Sequence, residues 1–274
     1  MDISNIIILI ATGAFAGFAG GMLGLGGAFI MTPLQYIVYT NLGLKPDVAI
    51  MTAFGTSLMV VLTTAISGAW RHHKNGEVNW KVAVVMGSSG LAFGLIGATL
   101  ASYIPGAALK ITFGVIGIAS CIRMFLSTRE RSEAEPVKKP WIWAVWAIPI
   151  GLLSGLLGVG GGILMIPVMV VALKFRMHQA VANSLAVMII TSIGGIVGYI
   201  ISGIGVAGRL PHSIGYIDPL SWVLLAVPAA LMAQVGAIAS HHISRKWLTY
   251  IFIVVLLYFG LRMIGVFEWL GWPL

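Results

Sequence analysis

Two segments of this 274-residue chain could do chemistry with backbone alone: Gly17-Phe-Ala-Gly-Gly21-Met-Leu-Gly24-Leu-Gly26-Gly27-Ala-Phe-Ile-Met31-Thr-Pro33 and Gly151-Leu-Leu-Ser-Gly155-Leu-Leu-Gly158-Val-Gly160-Gly161-Gly162-Ile-Leu-Met165-Ile-Pro167. The second copy lies 134 residues after the first, about half the chain. Glycines in the middle of an apolar run can break a helix. The half-helix that starts after such a break presents unpaired N–H groups and the positive end of its dipole, a neutral site that suits oxyanions. Paired breaks in two halves of a hydrophobic chain mark the binding site of a secondary transporter, because irregular backbone is tolerated in a bilayer only where a cavity uses it. Gly24, Gly26, Gly27, Gly158, Gly160 and Gly161 are therefore the leading candidates for substrate contact. Close helix packing is the competing reading, and it is the one adopted for Gly90-x-x-x-Gly94 and Gly194-x-x-x-Gly198.

Other polar groups could join them. Thr56, Ser57, Asn183 and Ser184 lie about two turns into their helices, deep enough to bring neutral donors to the breaks, or else to bond their own backbone. Gln35 and Gln234 are lone amides in apolar surroundings, fit to line a cavity or to bridge two helices. Arg123 and Arg262 occupy equivalent positions in apolar helix ends, where a cation could attract an anion, while Arg71 reads as a snorkelling anchor. The eight acids (Asp2, Asp47, Glu77, Glu130, Glu133, Glu135, Asp218 and Glu268) all fall in termini, loops or helix ends. Carriers of protons or cations usually keep an acid near the bilayer centre, so this distribution favours an anion. His72-His73 and His241-His242 are adjacent pairs that point to different sides of a helix; they read as solvated loop residues, with no metal site. The one cysteine, Cys121, excludes an intrachain disulfide and a thiolate cluster.

The elements that position these groups are membrane helices. Hydrophobic residues make up 59% of the chain and charged ones 9%, with mean hydropathy +1.00, too little polar surface for a soluble globule. Apolar stretches cover 3–39, 48–70, 80–103, 107–126, 141–173, 179–207, 219–240 and 247–267. Each reaches the ~20 residues that cross a bilayer core. They lack the alternation of barrel strands. All nine tryptophans lie near the ends of these stretches, where headgroups begin. The net charge of +8 is scattered over short loops and speaks for orientation in the bilayer, not for nucleic acid. The first segment has no basic n-region and reads as a retained helix. No Walker motif is present, so an ATP-driven pump within this chain is excluded, and no cofactor is called for.

The repeat extends over the whole of each half. Thr56-Ser57-Leu58 with Gly68 matches Asn183-Ser184-Leu185 with Gly195 at an offset of 127, which puts seven extra residues in the first copy, assigned to its Leu42–Met51 connection. At an offset of 139, His73, Gly76, Gly97, Leu109 and Arg123 match His212, Gly215, Gly236, Leu248 and Arg262. The organisation is thus residues 1–126 as repeat one, 127–140 as a cytoplasmic linker and 141–274 as repeat two. The runs 3–39 and 141–173 are either single long helices or turn at their glycines and come back. Turning back puts 12 of the 16 basic residues on one side against 4; single crossings give 10 against 6. The positive-inside rule favours the former. Five segments per half then make the repeats inverted.

With these motifs in register, and with Arg71-His-His-Lys-Asn-Gly-Glu-Val-Asn-Trp80 at the matching distance, nearly the whole chain resembles the sulfite exporter TauE/SafE family of bacterial and archaeal carriers. The resemblance implies an all-α polytopic protein of the cell membrane, with two homologous repeats, each a glycine-broken segment followed by three transmembrane helices. It implies export of small sulfur oxyanions such as sulfite or organosulfonates. Asn183, where threonine is more usual, and the longer Gly208–Asp218 loop depart from the family pattern. A carrier of another small organic or inorganic anion, or a non-transporting accessory subunit, remains the alternative. The expected partners are the anion, the lipid bilayer and, in a homo-oligomer, further copies of the chain. An intramembrane enzyme would need a nucleophile beside a base or metal, which no deep serine has.

Topology is directly testable. With Cys121 changed to serine and single cysteines placed at Ser4, Ser132 or Lys174, an impermeant thiol reagent applied to intact cells should label position 4 alone. Single crossings with a cytoplasmic linker would instead expose 174 and hide 4.

Overall fold

The computed structural model describes residues 2–24, 26–127, 136–239 and 245–269, without the side chains of 123–127, 245–249, 251, 252 and 268. Every long apolar stretch is helical, since in lipid a backbone must satisfy its own polar groups. The helices are α1 (Ile3–Leu23), α2 (Ala28–Asn41), α3 (Pro46–Lys74), α4 (Trp80–Ala101), α5 (Gly106–Ser127), α6 (Pro140–Leu157), α7 (Gly162–Pro167), α8 (Met177–Gly203), α9 (Pro219–Ala239), α10 (Arg245–Ile264) and α11 (Val266–Trp269). α7 runs on into a π turn over Val168–Ala172. Proline opens α3 and α6, where its missing N–H costs nothing, and the Asn79 side chain caps α4 by accepting from Lys81 and Val82. Among the described residues, six helices (α1, α3, α4, α6, α8 and α9) are long and apolar enough to cross a membrane. Large apolar side chains such as Val84, Val145, Val227 and Leu231 point outward, as they should toward lipid. This is an all-helical, multi-pass membrane protein.

Small residues decide which helices touch. Gly13, Gly17 and Gly21 of α1 lie on the backbone of Leu225, Ala229 and Ala233, so α1 and α9 run parallel in close contact. Gly90 on Gly151 and Gly94 on Gly155 join α4 to α6 in the same way, and Gly194 on Leu91 with Gly198 on Ala98 joins α8 to α4. Ser67 donates to the Ala230 carbonyl and Trp222 to Thr63, so α3 also runs with α9. By contrast, Gly195 meets Leu58 and Gly68 meets Leu185, which makes α3 and α8 antiparallel. α5 and α10 are antiparallel too, through Gly114 on Gly260 and the Cys121 thiol on the Ile253 carbonyl. Each half therefore lends its fourth helix to the other: α4 packs on α6 and α8, α9 on α1 and α3.

Because α1 and α3 both run with α9, the chain must reverse between them. A continuous helix would separate residues 16 and 27 by about 16 Å. Instead Gly27 sits against Ala16, and in the second half Gly161 sits against Ile150 and Ser154. Both long apolar runs thus turn back at their glycines. The seven additional residues of the first copy are not in a connection, as the sequence had suggested: four residues join α2 to α3 and four join the π turn to α8. Three of the seven lengthen α2, which has 14 residues where α7 and the π turn have 6 and 5, and four lengthen the start of α3.

If these glycine contacts hold the bundle, Gly17→Val and Gly155→Val should each lose about 2 kcal/mol from forced overpacking, seen as a lower thermal midpoint in detergent. Ala108→Val on an exposed face should leave the midpoint unchanged.

Candidate functional site

The two turns have the same backbone. Gly24, Gly26 and Gly27 take φ of 71°, 73° and 77°, and Gly158, Gly160 and Gly161 take 65°, 73° and 86°. A side chain in this left-handed region costs roughly 1–2 kcal/mol per residue, so the turns demand glycine before any ligand is considered. Gly24 and Gly158 close α1 and α6, while Gly27 and Gly161 open α2 and α7 with no side-chain cap. Gly26 lies against Val61 of α3 and Met188 of α8, and Gly160 against Val61 and Ser192. Val61 and Met188 are equivalent at the offset of 127, so both turns converge on the point where α3 and α8 cross. Ser184 reaches this junction, its hydroxyl 3.0 Å from the Gly24 carbonyl oxygen and 2.8 Å from that of Val181.

One side of the junction carries a continuous polar chain. Thr32, Gln35 and Tyr39 share a face of α2 at helical spacing. The Thr32 hydroxyl is 2.9 Å from that of Ser57, to which the Gln35 amide donates at 3.0 Å. The Tyr39 hydroxyl lies 3.4 Å from Gln35 Oε1, 3.4 Å from Thr56 Oγ1 and 3.5 Å from Asp218 Oδ2. Asp218 also accepts from the Ser221 hydroxyl at 2.5 Å and from the N–H groups of Leu220 and Ser221, which makes it the cap of α9. All seven residues are buried. At the offset of 134 the second half has Ile166, Met169 and Leu173 where α2 has Thr32, Gln35 and Tyr39, so the chain has no counterpart.

Several sequence candidates have other duties. Thr56 Oγ1 accepts the Asp218 N–H at 3.0 Å, and Asn183 Oδ1 accepts the Asn79 N–H at 2.7 Å. These are the same contact in the two halves: each ties the start of the fourth helix of one half to the third helix of the other. Asn183 can therefore stand where the first half has Thr56, because only an acceptor oxygen is needed. Gln234 is on an exposed face of α9 and does not line the junction. Arg262 is in the last turn of α10, donating to the Tyr258 hydroxyl at 3.1 Å, and the Arg123 side chain is outside the described residues. His72, expected in solvent, is 1% exposed within α3 and holds Glu77 at 2.5 Å; His241 and His242 are outside the described residues. The sequence reading missed Thr32 and Tyr39, although their i, i+3, i+7 spacing with Gln35 was available. It also set Asp218 aside as a loop acid, although the offset of 139 aligns it with the capping Asn79.

Residues 9–263 match the family described as Sulfite exporter TauE/SafE. The chain belongs to that family. It is 33% identical to a "Probable membrane transporter protein" of Methanocaldococcus jannaschii over 94% of each chain. Similar proteins carrying that name occur in Bacillus subtilis, 26% identical over 96% of this chain and 100% of the relative, and in Haemophilus influenzae, 26% identical over 86% and 89%. No solved structure matches the chain. Family and relatives together make this member of the TauE/SafE family a membrane transporter of the cell membrane.

The capping geometry sets an expectation for this family member. Asp218→Asn, which copies the cap of the first half, should keep near wild-type stability, whereas Asp218→Ala should lose about 1 kcal/mol or more. Thr56→Val should lose about 1–3 kcal/mol by leaving the Asp218 N–H buried and unpaired. Thermal unfolding of the three purified variants measures all of this.

Proposed function

We propose that this transporter is a secondary carrier, and an exporter, of small sulfur oxyanions, sulfite or an organosulfonate, bound where the two glycine turns meet. The observation that carries the reading is the convergence of both turns on Val61, with Met188 beside the first turn and the neutral hydroxyl of Ser192 beside the second. Among the described residues the buried side chains of charged type are His72 and Asp218, both at helix ends and both engaged. Hydroxyls and the uncapped first N–H groups of α2 offer hydrogen bonds to an oxyanion without the fixed cation that would hold it too tightly to release. The family to which the chain belongs supports sulfur oxyanions as the class.

Inverted repeats complete the proposal. The antiparallel run of the equivalent helices α3 and α8 supports a two-fold relation in the membrane plane, as alternating access requires. A cytoplasmic linker is supported by the distribution of basic residues.

Proteoliposomes loaded with sulfite, ethanesulfonate or thiosulfate test the substrate class. Saturable efflux of at least one of them is the expected result. Flux of cations alone, with none of the three moving, would overturn the reading. Asparagine tolerates the left-handed backbone, so Gly26→Asn and Gly160→Asn separate the need for a turn from the need for space. Both should assemble in the membrane yet lose transport by tenfold or more; unimpaired flux would place the substrate elsewhere.

A further inference from the structure

Hydroxyls on the helices of this protein have a regular outlet. Thr12, Thr52, Thr63, Thr99 and Ser120 each donate to the carbonyl four residues earlier. Ser154, Thr191 and Ser192 depart from this pattern. They are 2%, 1% and 0% exposed, and their hydroxyl oxygens have no hydrogen-bond partner. Ser154 and Ser192 flank the second glycine turn. Ser154 Oγ lies 3.6 Å from where a Cβ on Gly161 would be, Ser192 Oγ lies 3.4 Å from that of Gly160, and Thr191 is the next residue on α8, turned toward Gly90.

The first half has no such set. The equivalents of Ser154, Thr191 and Ser192 are Gly20, Thr64 and Ala65, and Thr64 is satisfied by the Val61 carbonyl at 3.0 Å. Buried polar groups in native proteins are paired, so two unpaired hydroxyls at one turn point to a group that arrives from outside. A way in lies beside Ser154. A small cavity lined by Ser154, Gly161, Phe29 and Val159 shares Ile116, Leu153 and Leu164 with a larger cleft of about 300 Å³ between α5, α6 and α7. The cleft has Trp146, Pro149 and Pro167 among its walls, and its one hydroxyl, Ser120, is spent on the Ile116 carbonyl.

We propose that the substrate binds unequally to the two turns. Its sulfonate oxygens accept from the Ser154 and Ser192 hydroxyls at the second turn, and its hydrocarbon body occupies the α5–α6–α7 cleft. An organosulfonate, with an anionic head and an apolar body, is then the fitted substrate, and inorganic sulfite fills only the head position. This rests on the oxyanion-carrier reading and adds to it the half, the residues and the organic class.

Isothermal titration of detergent-purified protein with 1-butanesulfonate and with sulfite tests it. The wild type should bind butanesulfonate more tightly than sulfite. Ser154→Ala and Ser192→Ala should each weaken both anions about tenfold, the loss of one good hydrogen bond. Without ligand the same variants should keep or raise the thermal midpoint, because an unpaired buried hydroxyl is removed; a lowered midpoint would make these serines structural and overturn the proposal. Ala119→Trp, at the exposed wall of the cleft, should weaken butanesulfonate and spare sulfite. Equal loss of both anions would remove the cleft from the site. Wild-type binding with serine variants that match it would sink this inference while leaving the carrier reading intact. Failure of the wild type to bind either anion would instead sink the carrier reading itself.

Discussion

A helix that crosses lipid can be interrupted only where protein covers the exposed backbone, and here one crossing covers two interruptions. α3 and α8 run antiparallel through the centre, and each glycine turn rests on them at Val61, Met188 or Ser192. The left-handed glycines would be a liability anywhere else in the bilayer. Their placement explains why the remaining helices are arranged in exchanged pairs. With the centre occupied by α3, α8 and the turns, α4 and α9 complete the cover by packing on helices of the opposite half.

Symmetry of backbone coexists with asymmetry of side chains. The turns match in φ, the third helices cross at equivalent residues, and Thr56 and Asn183 make the same contact to opposite fourth helices. Yet the first half has a closed polar chain from Thr32 to Asp218 where the second has Ile166, Met169 and Leu173, and the second half has unpaired hydroxyls where the first has Gly20 and Ala65. α2 stays α-helical for 14 residues through Pro33 and is tied to α3 by Thr32 and Gln35, whereas α7 gives way to a π turn after the equivalent Pro167. One half is wired; the other is open.

How much of this could be read beforehand follows from the range of each interaction. Helices, caps and breaks are local, so the apolar stretches, the paired turns and the packing role of Gly90 and Gly194 were legible in composition and spacing. Partnership is not local. No feature of Thr56 alone distinguishes a hydroxyl that reaches the site from one that accepts the N–H of Asp218, 162 residues away. Gln234 and Gln35 look alike in sequence, each a lone amide in an apolar helix. Gln35 faces α3 and finds Ser57, while Gln234 falls on an outward face of α9. Burial of His72 depended on α3 continuing to Lys74 and on Glu77 folding back over it, two events that a charged run such as Arg71-His-His-Lys74 disguises as a loop.

The exchanged pairing also bears on movement. Close, parallel, glycine-mediated contacts bind α4 to α6 and α8, and the same kind of contact binds α1 to α9, with α3 joined to α9 by Ser67 and Trp222. These make two bodies, each assembled from both halves. The bodies meet through the antiparallel pair α3–α8, where side chains such as Leu58 and Leu185 stand between the backbones. The glycine turns sit on that seam: Gly24 belongs to α1 yet touches α8, and Gly158 belongs to α6 yet touches α3. A carrier must change shape around its substrate without unpacking its core. In this fold a displacement of one body against the other would leave the glycine contacts within each body intact and alter first the spacing of the two turns.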